Sequence, residues 1–80
     1  MQATEPILAK AIRPTAKGLE VILAATTVLV PWAQCSPRLA GATKAERQAA
    51  ELSPGGYGVH WSLLDEDLSV RGLVRSLNPD

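Results

Sequence analysis

His60, Asp65 and Asp67 lie within eight positions of one another and are the first residues whose types could do chemistry. An imidazole with two carboxylates is a workable first shell for a divalent metal. The same residues have a structural use: His60 can donate to an Asp carboxylate, and Asp65 or Asp67 can accept amides at a helix N-terminus. The structural use is preferred, because carboxylates two positions apart need not converge. Cys35 is the single thiol and His60 the single imidazole, and 25 positions separate them. That is no motif for a nucleophile and its base. Trp32, Tyr57 and Trp61 are the only aromatic residues. Aromatic and Arg side chains anchor many interfaces, so Arg38, Arg47, His60, Trp61, Asp65 and Asp67 are the candidate partner-contact residues. Core packing is the competing role for Trp61. Gly55-Gly56-Tyr57-Gly58 lacks the preceding strand and the Lys of a phosphate-binding loop. No catalytic residue, metal site or cofactor is expected.

The elements that must position these side chains follow from local signals. Residues 7–12 read as a strand, and Pro14 to Gly18 as a turn. In residues 19–24, Leu19, Val21 and Leu23 share one face. Residues 26–31 are β-branched and end at Pro31, with Ala24-Ala25 as the hairpin tip. Ser36-Pro37 predicts a helix cap followed by proline at the first helical position, and Gly41 stops that turn. Thr43-Lys44-Ala45-Glu46 is a capping box, which starts a helix expected to run over 43–52. Pro54 ends it. A strand is expected over 57–61, with Tyr57, Val59 and Trp61 on one face and Gly58 and His60 on the other. Asp65, Glu66 and Asp67 are then expected to sit before a last helix, where they would suit its positive end. Ser69 caps that helix, which is expected over 70–77. Val70, Leu73, Val74 and Leu77 form its apolar face, and Asn78-Pro79 stops it.

The expected fold is therefore α+β: a small antiparallel β-meander, with three N-terminal strands over about 7–31 plus a strand at about 57–61, packed with two to three short helices. Residues 1–80 are read as one domain. Hydrophobic residues make up 46% of the chain and charged residues 20%, a balance of folded chains and not of disordered ones. One Cys excludes a disulfide scaffold. The net charge is zero, but unevenly spread. Residues 1–50 hold six Lys and Arg against three Glu, a net +3, and residues 51–80 hold two Arg against five acids, a net −3. Opposite halves can neutralise each other within the fold, or steer an oppositely charged partner. No basic recognition helix is present, so direct nucleic-acid binding is not expected.

The positions before Cys35 bear on location. Lys10, Arg13 and Lys17 precede the apolar run from Leu19 to Val30, an outline shared with lipoprotein signal peptides. Glu20 and Thr26-Thr27 interrupt that run, and Gln34 stands before the Cys where a small residue is preferred. The run is too short to span a membrane, which takes about 20 residues. A retained β-meander is the preferred reading, in a cytoplasmic protein with a reduced thiol.

Pro37-Arg38-Leu39, Ala42-Thr43 and Glu46-Arg47, followed by Gly56 through Trp61, Leu64 through Val70 and Gly72-Leu73, carry a resemblance. The elements P-R-L-x-x-A-T, E-R and G-Y-G-V-H-W-x-x-L-D-E-D-L-S-V-x-G-L resemble a small bacterial family catalogued as domain of unknown function 2442. The match covers residues 31–74. Two departures are the Ala24-Ala25 tip, where the family has an Asp-Gly type turn, and Gln34-Cys35-Ser36, where it has aromatics. The resemblance implies a small α+β domain. Family members either stand alone, often encoded beside a second small protein and proposed as toxin–antitoxin pairs, or precede a helix-turn-helix domain. The expected function is a non-catalytic protein-interaction module, antitoxin-like or regulatory, with a hetero-partner or a second copy as its protein partner. The alternative is a self-associating accessory subunit of a larger assembly. A small-ligand or metal binder ranks behind both.

Overall fold

The computed structural model describes residues 7–77. The expected stop at Asn78-Pro79 lies outside them. Six strands form two antiparallel three-stranded sheets, each a simple meander. The first sheet contains β1 (Ala11–Pro14), β2 (Gly18–Ile22) and β3 (Thr27–Pro31). The second contains β4 (Ala50–Leu52), β5 (Gly58–Trp61) and β6 (Glu66–Ser69). Three one-turn helices link the sheets: α1 (Trp32–Cys35), α2 (Pro37–Ala40) and α3 (Lys44–Gln48). A 3₁₀ turn, Pro54–Gly56, precedes β5, and α4 (Val70–Arg75) follows β6. The α+β class and the three N-terminal strands are as expected, but the strands are not one layer.

Alternation builds the first sheet. Leu19 and Val21 of β2 and Val30 of β3 are fully buried, while Glu20 and Leu29 face outward as cross-strand neighbours. The first strand lies further along than expected, at Ala11–Pro14 instead of 7–12. Before it, Ala9 is buried and its N–H donates to the carbonyl of Gly56 in the 3₁₀ turn at 2.9 Å, while the Lys10 N–H donates to Ile22 of β2 at 2.7 Å. Pro14 belongs to this strand and not to the turn. The Thr15 N–H donates to Gly18 at 2.8 Å, so the hydrogen-bonded positions of β1 are the odd ones and Pro14 sits where its missing N–H would face off the sheet. The turn at Ala24-Ala25 is present, closed by the Leu23 N–H donating to the Thr26 carbonyl at 2.8 Å.

The helix starts follow the sequence closely. The Ser36 hydroxyl accepts from the Leu39 N–H, with Pro37 at the first helical position. Both halves of the Thr43–Glu46 capping box are formed. The Ser69 hydroxyl accepts from the Gly72 N–H. The helix ends differ. The helix expected over 43–52 stops at Gln48, and Ala50–Leu52 becomes a strand paired with Val59–Trp61. Ala50 and Leu52 reach the core only as strand residues, so tertiary pairing overrides their local helical preference.

The acids before the last helix are also placed differently. Asp65 occupies the β5–β6 turn with φ +52°, while Glu66 and Asp67 lie within β6. No acid stands in the first turn of α4. Leu68 of β6 packs on the core beside Val59, which a helix-leading loop would not allow. The expected face of Tyr57, Val59 and Trp61 holds for the last two alone. Tyr57 is 59% exposed. It follows Gly55 and Gly56, at φ +85° and +79°, and has αR backbone, so the strand alternation does not reach it. A side chain at Gly56 would land on the Ala9 carbonyl oxygen, so this close approach requires glycine.

One apolar cluster joins the layers. It contains Leu19, Val21, Val30, Trp32, Leu39, Val59, Trp61, Val70 and Leu73. Trp32 enters from the end of the first sheet and Trp61 from the centre of the second.

Candidate functional site

His60 lies in the central strand of the second sheet, opposite Glu51 on β4 and Asp67 on β6. Cross-strand neighbours on one face stand close enough to interact directly. His60 Nδ1 is 2.8 Å from Asp67 Oδ1. Both side chains are open to solvent, at 40% and 76% exposure. This contact links β5 to β6, with Asp67 in a strand and not in a loop before a helix. Asp65 stands apart in the turn. Among the described residues, no three His, Cys, Asp or Glu side chains gather in a way that could hold a metal ion.

Around this pair the sheet is open and shallow. Tyr57, Gly58, Leu68, Ser53 and Ser69 complete a depression of about 330 Å³. Gly58 contributes no side chain, which keeps its floor flat. The Ser53 hydroxyl accepts the Gly58 N–H at 2.9 Å, and the Ser69 hydroxyl accepts the Gly72 N–H at 2.9 Å. Both oxygens are occupied as structural acceptors. Glu51 and Asp67 flank His60 on this face, while Glu66 lies opposite Trp61 on the other face and Asp65 sits in the turn. Leu63, in the turn after β5, is 62% exposed. Tyr57 and Leu63 lie beyond opposite ends of β5, with His60 between them. Neither had been singled out as a contact residue. An apolar residue in a turn carries no sequence signal for exposure, and alternation alone puts Tyr57 on the buried face.

The other expected contact residues serve the fold. Trp61 is fully buried, and its indole N–H donates to the Arg47 carbonyl at 3.1 Å. The Arg47 guanidinium donates to the Leu39 and Ala40 carbonyls at 3.0 and 2.9 Å, and lies 5.2 Å over the Trp32 ring. It caps the C-terminal end of α2 and covers an aromatic face at once. Arg38 donates to the Leu64 carbonyl at 2.9 Å, tying α2 to the β5–β6 turn. Arg47 also borders a second cleft, of about 210 Å³, together with Thr15, Ala16, Lys44 and Gln48.

Cys35 is a poor nucleophile. Burial pushes its thiol up from 9.0 to about 11, and the nearby Arg47 charge only partly opposes this. Its Sγ lies 3.7 Å from the Val30 carbonyl, which it meets as a weak donor.

The comparisons with known proteins agree with this architecture. A family model described as protein of unknown function (DUF2442) matches residues 9–78. The chain is similar to a protein of unknown function from Rhodospirillum rubrum ATCC 11170, known from a crystal structure. The two are 32% identical, the match covers 88% of this chain and 87% of that one, and the TM-score is 0.75. No curated protein matches this chain. No helix among the described residues is long and apolar enough to cross a membrane.

Proposed function

The chain belongs to the DUF2442 family of proteins of unknown function, and on that premise we propose that it acts as a non-catalytic protein-interaction module, an antitoxin-like or regulatory partner of a small neighbouring protein. The observation that carries this reading is the open face of the second sheet. There Tyr57 is 59% exposed beside His60 and Asp67. Tyr57 borders the depression that holds the His60–Asp67 pair, and Glu51 is the acid across from His60 on the other side. Aromatic anchors with a polar rim are the composition of an interface. A shallow face with no converging reactive groups suits a protein surface better than a small substrate. The acids favour a partner with basic side chains, through complementary charge.

The chemistry left elsewhere favours binding over catalysis. Cys35 is held as a thiol, and both Arg38 and Arg47 are engaged with backbone carbonyls. The cytoplasm is the proposed location, where a lone thiol stays reduced.

Co-purification from native cells tests the reading. The wild-type chain should retain one defined small protein in fixed ratio, and Tyr57→Ala should lose it while keeping its far-UV circular dichroism. A chain that retains no protein, or a folded Tyr57→Ala that retains it equally well, overturns the proposal.

A further inference from the structure

Among the described residues, β3 is an outer strand of the first sheet and pairs with β2 alone. The Leu23 N–H bond to Thr26 sets the phase of its ladder. Hydrogen-bonded positions alternate along an antiparallel pair, so Thr26, Val28 and Val30 address β2. The amides and carbonyls of Thr27 and Leu29 point off the sheet edge. Both residues are exposed, Leu29 by 39%.

Exposed edges are normally protected by charge, by proline within the strand, by a bulge or by a covering helix or loop. The β3 edge has no charge, proline or bulge before its last residue, Pro31, and α1 and α4, which contact this strand, leave Thr27 and Leu29 exposed. No charged residue occurs between Glu20 and Arg38. The other outer strands differ: β1 carries Arg13 and Pro14, β4 carries Glu51, and β6 carries Glu66 and Asp67. A second copy laid against β6 would set acids near acids, an unfavourable cross-strand arrangement. Against β3 it would meet no charge at all.

We propose that β3 pairs antiparallel with β3 of a second copy of this chain, about a twofold axis at Val28. The Thr27 N–H of one copy then donates to the Leu29 carbonyl of the other, and the Leu29 N–H to the Thr27 carbonyl. Symmetry doubles these to four bonds and merges two three-stranded sheets into one of six strands. The contact is self-complementary and closed, so it consumes both β3 edges and leaves at the ends only the β1 strands, which carry Arg13 and Pro14. It also lends a small core support that depends on concentration. This edge is separate from the open face around His60, so the pairing stands or falls apart from the function proposed above.

Light scattering and sedimentation of the full chain over a range of concentrations test it. The wild type should have twice the 8.5 kDa chain mass. Leu29→Pro removes one outward amide and no β2–β3 bond, so it should give the single-chain mass with unchanged circular dichroism. Leu29→Lys places charge on the same exposed edge and should do the same, which keeps the test decisive if the proline variant fails to fold. A wild type that stays single at every concentration overturns the inference, as does a pair that persists in folded Leu29→Lys. A single-chain wild type that still retains its small partner protein refutes the β3 pairing and leaves the interaction module standing.

Discussion

The Trp61 ring stands edge-on to the Trp32 ring, with centroids 6.4 Å apart and planes at 77°. This contact joins the two sheets. Each indole N–H also finds a backbone carbonyl: Trp61 donates to Arg47 at 3.1 Å and Trp32 to Thr15 at 2.9 Å. Edge-on aromatic pairs add about 0.5–1.5 kcal/mol beyond the area they bury. Truncating the fully buried Trp61 to Ala should therefore cost about 3–5 kcal/mol, a loss that few small domains survive. Urea and thermal unfolding followed by circular dichroism would measure it. A melting curve barely altered by Trp61→Ala would contradict its place at the joint.

Arg47 and Arg38 look equivalent in the sequence and should not be equivalent in stability. Arg47 is half-buried, makes two charged hydrogen bonds and covers Trp32. Arg47→Met should cost about 2–3 kcal/mol. Arg47→Lys should recover only part of that, since an ammonium cannot reproduce the planar fork. Arg38 is exposed with one carbonyl contact, so Arg38→Ala should cost about 0.5–1 kcal/mol. Denaturant midpoints for the three variants would check the order. An Arg38→Ala chain less stable than Arg47→Met would reverse the assignment.

The contrast between these arginines shows where legibility ended. Signals confined to a few neighbouring residues transferred intact: the Ser36-Pro37 start, the Thr43–Glu46 capping box, the Ser69 cap and the Ala24-Ala25 tip. Strand β4 did not, because Ala49 to Leu52 have helical propensity and become extended only by pairing with Val59–Trp61. Strand β6 was hidden because Glu66 and Asp67 read as helix-leading acids until Leu68 is known to pack beside Val59. The His60–Asp67 bond was legible in kind, since an imidazole seven residues before a carboxylate can donate to it, although the sequence did not choose between Asp65 and Asp67. The exposure of Tyr57 was not, because Gly55 and Gly56 break the alternation through backbone angles that periodicity does not encode.

Cys35 gives the fold a pH dependence with a definite sign. Burial raises its folded-state pKa to about 11, above the ordinary 9.0. The folded state thus holds its proton where the unfolded state has released it. The stability tied to the neutral thiol is fully present below about pH 9 and is lost as pH climbs towards 11. The Cys35→Ser variant should lose this part of the alkaline decline. Alkylation at pH 8 should be slow in the native chain and fast in urea, since the thiolate is the reacting form. Native and unfolded rates that coincide would show that the thiol is not held by burial.

His60 and Asp67 should matter little to stability. Their bond is short, but both side chains are largely in water, where such pairs contribute about 0–1 kcal/mol. His60→Ala and Asp67→Asn should each leave the melting temperature close to that of the wild type. Retention of the partner protein is where the loss should appear, because the pair lines the same depression as Tyr57 on the proposed contact face. Parallel melts and partner titrations separate the two effects. If His60→Ala melts the fold while Asp67→Asn leaves partner affinity untouched, the pair is internal bracing and the contact face must be drawn without it.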